Sequence, residues 1–179
     1  MTETDQENLK TLISRARKGS AEAFGELYGA YSDDMYKFAL WYLKNSHDAE
    51  DAVQDCALYA YKNIAFVKKP DSFRSWLFRI LANKCADITR ERKKRADLDV
   101  GDIEQAFFDD YEDGSVTRLL GRLEEDDRRI VTLAVLGEFN SREISKITGL
   151  KDSTVRSKLS RSLKKLREMI QTDEEKDHE

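Results

Sequence analysis

Proline occurs once in this chain of 179 residues, at Pro70, and glycine only eight times. Proline removes a backbone donor and glycine costs a helix about 1 kcal/mol, so a chain poor in both has little to interrupt long helices. Ala, Leu, Lys, Arg, Glu and Asp dominate instead, residues that favour helices and their ends over strands. The sequence predicts an all-α protein. With 40% hydrophobic and 37% charged residues it can bury one ordinary core or two small ones, and two small helical domains fit best. No apolar run approaches the roughly 20 residues that span a bilayer. The opening MTETDQENLK is polar and acidic, unlike a signal peptide, so the expected location is the cytoplasm without membrane insertion.

Stops and starts divide the helices. Leu9, Leu12, Ile13 and Ala16 mark a short amphipathic helix ending at Gly19. Ser20 can cap a longer one that carries an apolar stripe from Phe24 to Leu43. Ser46 can cap the next, HDAEDAVQDCALYAYKNI, which begins with acids at the positive end of its dipole. Pro70 then breaks the chain, and Asp71 or Ser72 can cap FRSWLFRILANKCADITRERKKR. Cys56 and Cys85 sit inside these helical patterns without metal-ligand spacing and read as reduced, buried thiols.

The net charge of −4 conceals a strong segregation. Residues 1–55 hold 11 acids and 6 bases, whereas 72–95 hold 8 bases and 2 acids. Residues 97–115 hold 8 acids and no base, and 141–170 hold 9 bases and 3 acids. Blocks of like charge stay solvated, so the acidic stretch reads as a flexible linker between domains at 1–96 and 116–171, with 172–179 a disordered acidic tail.

The second domain carries helix-turn-helix grammar. A helix built on Ile130, Leu133 and Ala134 ends at Gly137; Asn140 and Glu143 have capping-box spacing; Gly149 stops a short helix, and Asp152 or Ser153 caps another. Val155, Leu159, Leu163 and Leu166 step by four, four and three, which predicts one buried face. Ser157, Ser160, Arg161 and Lys164 then point outward, with Arg156 and Lys158 on the flanks. Short hydroxyls admit a close backbone and long cations reach phosphates and guanine edges, the requirements of a helix in a DNA major groove. A merely solvated charged face is the alternative, but the acids that normally alternate with such bases are missing.

FNSREISKITGLKDSTVRSKLSRSLKKLR resembles the promoter-reading domain 4 of bacterial sigma factors. HDAEDAVQDCALYAYKN and FRSWLFRILANKCADITRERKKR resemble domain 2 of the short extracytoplasmic-function class. The likeness runs from about Ser20 to Ile170, with both modules in family order. It implies an RNA polymerase sigma factor that binds core, contacts the β′ clamp helices and the β flap, and reads promoter DNA. It also implies a sequestering anti-sigma factor, and a monomer when no partner is bound. By position, Asp48, Glu50, Asp51, Gln54 and Asp55 would grip the clamp helices, although such acids also favour the helix dipole.

Phe66, Lys68, Lys69, Ser72, Arg74, Trp76, Arg79, Asn83 and Lys84 would hold the opened minus-ten strand, cations tracking the backbone beside aromatics that stack. Trp76 reads more readily as core, and Asn83 is the better candidate because its amide can read a base edge. Ser153, Thr154, Arg156, Ser157, Lys158, Ser160, Arg161 and Lys164 would form the helix that reads the minus-thirty-five element. Only His47 and His178 occur, and no phosphate loop, nucleophile elbow or metal pair is present, so neither catalysis nor a cofactor is expected. A stand-alone helix-turn-helix regulator would leave the acidic helix and first basic module unexplained, and an adaptor would leave both basic faces unexplained.

Overall fold

In a computed structural model that describes residues 3–67, 69–98 and 114–176, all regular structure is helical. Helix α1 (Glu3–Arg17) is followed by α2 (Ala21–Gly29), whose cap is the expected one: the Ser20 hydroxyl accepts from the Ala23 amide at 3.2 Å. The stripe expected to form one helix through Leu43 is divided. The chain turns at Ala30 and Tyr31, where the Ser32 hydroxyl donates to the Gly29 carbonyl, and α3 (Ser32–Leu43) starts anew. Helix α4 (Ser46–Asn63) is capped by Asn45 rather than Ser46; the Asn45 side chain accepts from the Asp48 amide at 2.8 Å, leaving Ser46 as the first helical residue.

Two short 3-10 turns, Ile64–Phe66 and Pro70–Ser72, lead into α5 (Phe73–Leu98). Proline opens the second turn, where its missing donor costs nothing. The Ser72 hydroxyl donates back to the Lys69 carbonyl instead of capping α5.

Of the expected linker, residues 99–113 lie outside the described residues. Residues 97 and 98 complete α5, and 114 and 115 open α6 (Gly114–Gly121). There follow α7 (Glu125–Val135), α8 (Ser141–Thr148) and α9 (Asp152–Lys176). The reciprocal Asn140–Glu143 capping box is present, and Gly149 ends α8 in the left-handed region at φ 78°. Helix α9 continues past residue 172, where a disordered tail was expected: the Thr172 hydroxyl bonds the Glu168 carbonyl, and Glu and Lys in the last turns sustain a helix.

One core runs through both modules. Phe38, Phe73, Phe78, Leu77 and Leu81 of the first are continuous with Ile130, Leu133, Phe139, Ile144 and Val155 of the second. A smaller cluster joins Trp41 of α3 to Leu120, Leu123 and Val131. Cys56 and Cys85 are free and buried in the first module, as the pattern predicted.

Candidate nucleic-acid interface

The buried face of α9 sets what the helix presents outward, and it differs from the predicted one in one position. Val155 is buried and Leu159 and Leu166 are half-buried, but Leu163 is 40% exposed and Ser162 takes its place at 2%. The true steps are four, three and four, so the seam tilts around the helix and Leu163 falls on its flank. The opposite face keeps the predicted content. Ser153, Ser157, Ser160 and Lys164 form a line at steps of three and four, Arg156 and Arg161 border it, and all six are exposed. Thr154 is half-buried at the start of the helix.

Ion pairs separate the cations by availability. Lys158 Nζ lies 2.7 Å from Asp127 Oδ1 with both side chains about three-quarters covered, so this lysine ties α9 to α7. Among the described residues Arg156 and Lys164 pair with Asp152 and Glu168 one turn away, at 3.3 and 3.7 Å, and both cations are exposed. Exposed pairs of this kind contribute about 0–1 kcal/mol and yield readily to another anion.

The predicted strand-binding residues fall into three groups. Phe66, 74% exposed, projects from the first 3-10 turn near Lys69, and Arg79 is exposed on α5. Lys68 lies outside the described residues. Ser72 and Trp76 are half-buried, and the Trp76 ring sits 5.9 Å from that of Phe73 against the core. The remaining three are engaged within the protein: Lys84 pairs with Asp55 at 3.1 Å, the Arg74 guanidinium lies 4.6 Å from the Phe139 ring centroid, and Asn83 Oδ1 accepts from Arg129 Nη2 at 3.0 Å.

On α4 the acids also divide. Glu50, Asp51, Gln54 and Asp55 are exposed. Asp48 is half-buried against Arg92, whose guanidinium also donates to the Leu43 carbonyl, so it closes the α3–α4 corner. Sequence reasoning missed Leu58, 61% exposed and in line with Asp51 and Asp55 at helical spacing. An apolar residue on the acidic face of a helix whose core face is already complete was the available signal.

Burial is the leading cause of the altered acidities of the two thiols and of the Tyr42 phenol. It pushes the Cys56 thiol up to about 12 and raises that of Cys85 as well, which keeps both protonated and unreactive. The Tyr42 phenol is raised by burial and by Glu125, to which it donates at 3.3 Å. No cluster of three or more metal-ligating side chains and no helix long and apolar enough to cross a membrane occurs among the described residues.

Comparison with known proteins places both modules. The family described as Sigma-70 region 2 matches residues 27–95, and that described as Sigma-70, region 4 matches 113–166. RNA polymerase sigma factor SigV of Bacillus subtilis is 31% identical over 140 residues, which are 76% of this chain and 84% of that protein. The extracytoplasmic-function sigma factor SigW of the same organism is 26% identical, covering 90% of this chain and 96% of its own. The structure of CnrH in complex with the cytosolic domain of CnrY superposes with a TM-score of 0.72 at 27% identity, covering 93% of this chain and 99% of CnrH. With two helical modules in this order and a helix-turn-helix in the second, the chain belongs to the extracytoplasmic-function RNA polymerase sigma factors, which direct promoter-specific initiation of transcription.

Proposed function

We propose that this sigma factor divides its task among three surfaces. The exposed face of α4, with Glu50, Asp51, Gln54 and Asp55, docks on the clamp helices of polymerase core, and Leu58 extends that contact with apolar area. Phe66, Lys69 and Arg79, joined by Arg74, Asn83 and Lys84, hold the opened minus-ten strand by stacking and phosphate contact. The outward face of α9 reads the minus-thirty-five element. The protein carries out no bond chemistry, works in the cytoplasm and melts promoters with binding energy alone. A sequestering anti-sigma factor belongs to the same reading, since the similar CnrH was solved with the cytosolic domain of CnrY bound.

The observation that carries this reading is the outward line of Ser153, Ser157, Ser160 and Lys164 with its two bordering arginines, in a run of residues 153–167 that contains no acid. An arginine forked onto a guanine is worth roughly 1–3 kcal/mol of discrimination, whereas a phosphate contact carries none. Transcription with purified core on a random promoter library identifies the preferred promoter. Holoenzyme binding to that promoter and to one with its upstream element scrambled, across a salt series, then separates the roles. Arg156→Ala or Arg161→Ala should reduce the ratio between the two promoters. Lys164→Ala should weaken both alike and lower the salt slope by about 1. If both arginine variants keep the parent's ratio, α9 does not read bases.

A further inference from the structure

Of the seven large hydrophobic side chains exposed among the described residues, four, Leu58, Tyr59, Tyr61 and Phe66, fall within residues 58–66, at the end of α4 and in the turn after it. Exposed apolar surface so concentrated marks a contact region. Helical phase, about 100° per residue, divides it. Tyr61 turns towards α2, where its ring meets that of Phe24 edge to face at 5.2 Å. Tyr59 turns the other way. Its direction falls between those of Asp55 and Cys56, and both of these reach α5: Lys84 Nζ lies 3.1 Å from Asp55 Oδ2, and the Cys56 thiol donates to the Leu77 carbonyl at 3.7 Å. The partners run in reverse, Asp48 with Arg92, Asp55 with Lys84 and Cys56 with Leu77, so α5 is antiparallel to α4. Tyr59, one turn beyond Asp55, is therefore level with the turn of α5 before Lys84, which carries the exposed Arg79.

The same side of the chain continues to Phe66. Four residues of α-helix and one 3-10 turn bring Phe66 round to about the direction of Tyr59, roughly 12 Å further along the axis. Asn63 between them donates to the Tyr59 carbonyl at 2.8 Å, which holds that phase. Tyr59 is 49% and Phe66 74% exposed, and the Tyr59 ring and hydroxyl make neither a ring contact nor a hydrogen bond among the described residues. Lys62, Lys69 and Arg79 are exposed around the two rings, a charge that suits a polyanion. We infer that Tyr59 is a second stacking residue for the opened minus-ten strand, which runs from the 3-10 turn onto the α5 border of α4. This rests on the strand-binding role given above to Phe66, Lys69 and Arg79 and adds a residue to it. At that separation the two rings hold different bases instead of sandwiching one. Stacking is indifferent to base identity, so Tyr59 contributes affinity for the open strand and no sequence preference.

The test uses holoenzyme and a fluorescent single-stranded non-template oligonucleotide carrying the minus-ten region of the promoter selected from the library. Tyr59→Ala and Tyr59→Leu should each weaken its binding at least about fivefold, and Tyr59→Phe, which keeps the ring, should restore it. Affinity for core, measured separately, should stay at the parent's value in all three variants. Parental strand affinity in Tyr59→Ala beside a weakened Phe66→Ala overturns the inference and leaves the strand-binding reading standing. Parental affinity in both overturns that reading, and the inference with it. A weakened Tyr59→Ala with an unaffected Tyr59→Leu makes the side chain apolar cover instead of a stacking surface, and a loss of core affinity without a loss for the strand gives the ring to the polymerase; either result overturns the inference.

Discussion

Three glycines, substituted one at a time by alanine, test the packing argument on which the seam between the two modules depends, because each meets the new methyl group differently. At Gly137 an added Cβ would lie 2.5 Å from Cδ2 of Phe139 and 2.6 Å from the backbone oxygen of Leu133. The oxygen already accepts from the Phe139 amide at 3.2 Å, so relieving its contact strains that turn, and the ring has to move as well. Overpacking of this kind costs about 1–3 kcal/mol, and displacing Phe139 from Phe78 forfeits about 0.5–1.5 kcal/mol more. The alanine stiffens the unfolded chain and returns about 0.4–1 kcal/mol, for a net loss of about 0.5–4 kcal/mol. Gly149 has open space around it but a φ of +78°, so alanine there should cost about 1–2 kcal/mol through backbone strain alone. Gly25 lies inside α2 with an ordinary φ and nothing within 4 Å, so alanine should stabilise by about 0.5–1 kcal/mol. Urea unfolding at neutral pH reads all three, and with a slope of about 2 kcal/mol per molar the Gly137 midpoint should fall by roughly 0.25–2 M. A Gly137→Ala protein as stable as the parent would refute the close turn that places Phe139 in the seam.

Charge reversal on α4, Asp51→Lys with Asp55→Lys, should weaken binding to polymerase core while leaving the melting temperature within a few degrees, since the pairs these acids make with His47 and Lys84 are exposed; pull-down and calorimetry check the two halves. Asn83→Ala in holoenzyme should reduce promoter opening, read by permanganate reactivity, more than it reduces closed-complex binding. Both thiols should resist iodoacetamide at pH 8 until the protein is unfolded, because burial holds them protonated. The Cys56 value rises from 9.0 to about 12 on folding, so only the unfolded state loses that proton between those limits. Stability should therefore be intact below pH 9 and fall above it by up to about 1.4 kcal/mol per pH unit per thiol, a slope that Cys56→Ala should reduce in urea titrations at pH 8 and pH 10.5.

The helices and the surface of α9 were legible because their signals are local. A capping box at Asn140 and Glu143, a left-handed stop at Gly149 and an acid-free run after Asp152 are each written within a few residues. Errors arose where two local solutions compete. Asn45 and Ser46 are both good caps, and the chain uses the one whose oxygen reaches the Asp48 amide. The stripe from Phe24 to Leu43 continues in phase across a turn that hydropathy does not register. Leu163 was misplaced because a heptad-like seam drifts on a straight helix, and the small Ser162 fits where α9 meets its module. The seam between modules was illegible for a different reason: Phe139, Trp41 and Arg129 carry no periodicity relating them to α5, and the partners of Arg129 and Phe139 lie 46 and 61 residues away in sequence. The resemblance to a known family supplied the function, but not which of its residues the free chain keeps occupied.

Pairing within the fold changes what the charge map means for DNA binding. Residues 72–95 read as a basic module carrying 8 bases against 2 acids, yet in the folded protein most of those bases are engaged. Lys84 faces Asp55, Arg90 faces Asp87, Arg92 faces Asp48, Lys93 faces Glu125 and Arg95 approaches Glu91, while Arg74 lies over Phe139. Arg79 and Lys94 are left without an ion pair among the described residues. Most of these pairs are exposed and contribute little, so phosphates can replace the carboxylates at small cost, and the displaced acids become available to other partners. Asp55 is the instructive case, because its partner Lys84 is assigned to the promoter strand and Asp55 itself to the polymerase. A strand that takes Lys84 releases Asp55 towards core, and core that takes Asp55 releases Lys84 towards the strand. The two binding events therefore favour one another through a single exposed salt bridge, with a coupling that can be no larger than the bridge itself, at most about 1 kcal/mol.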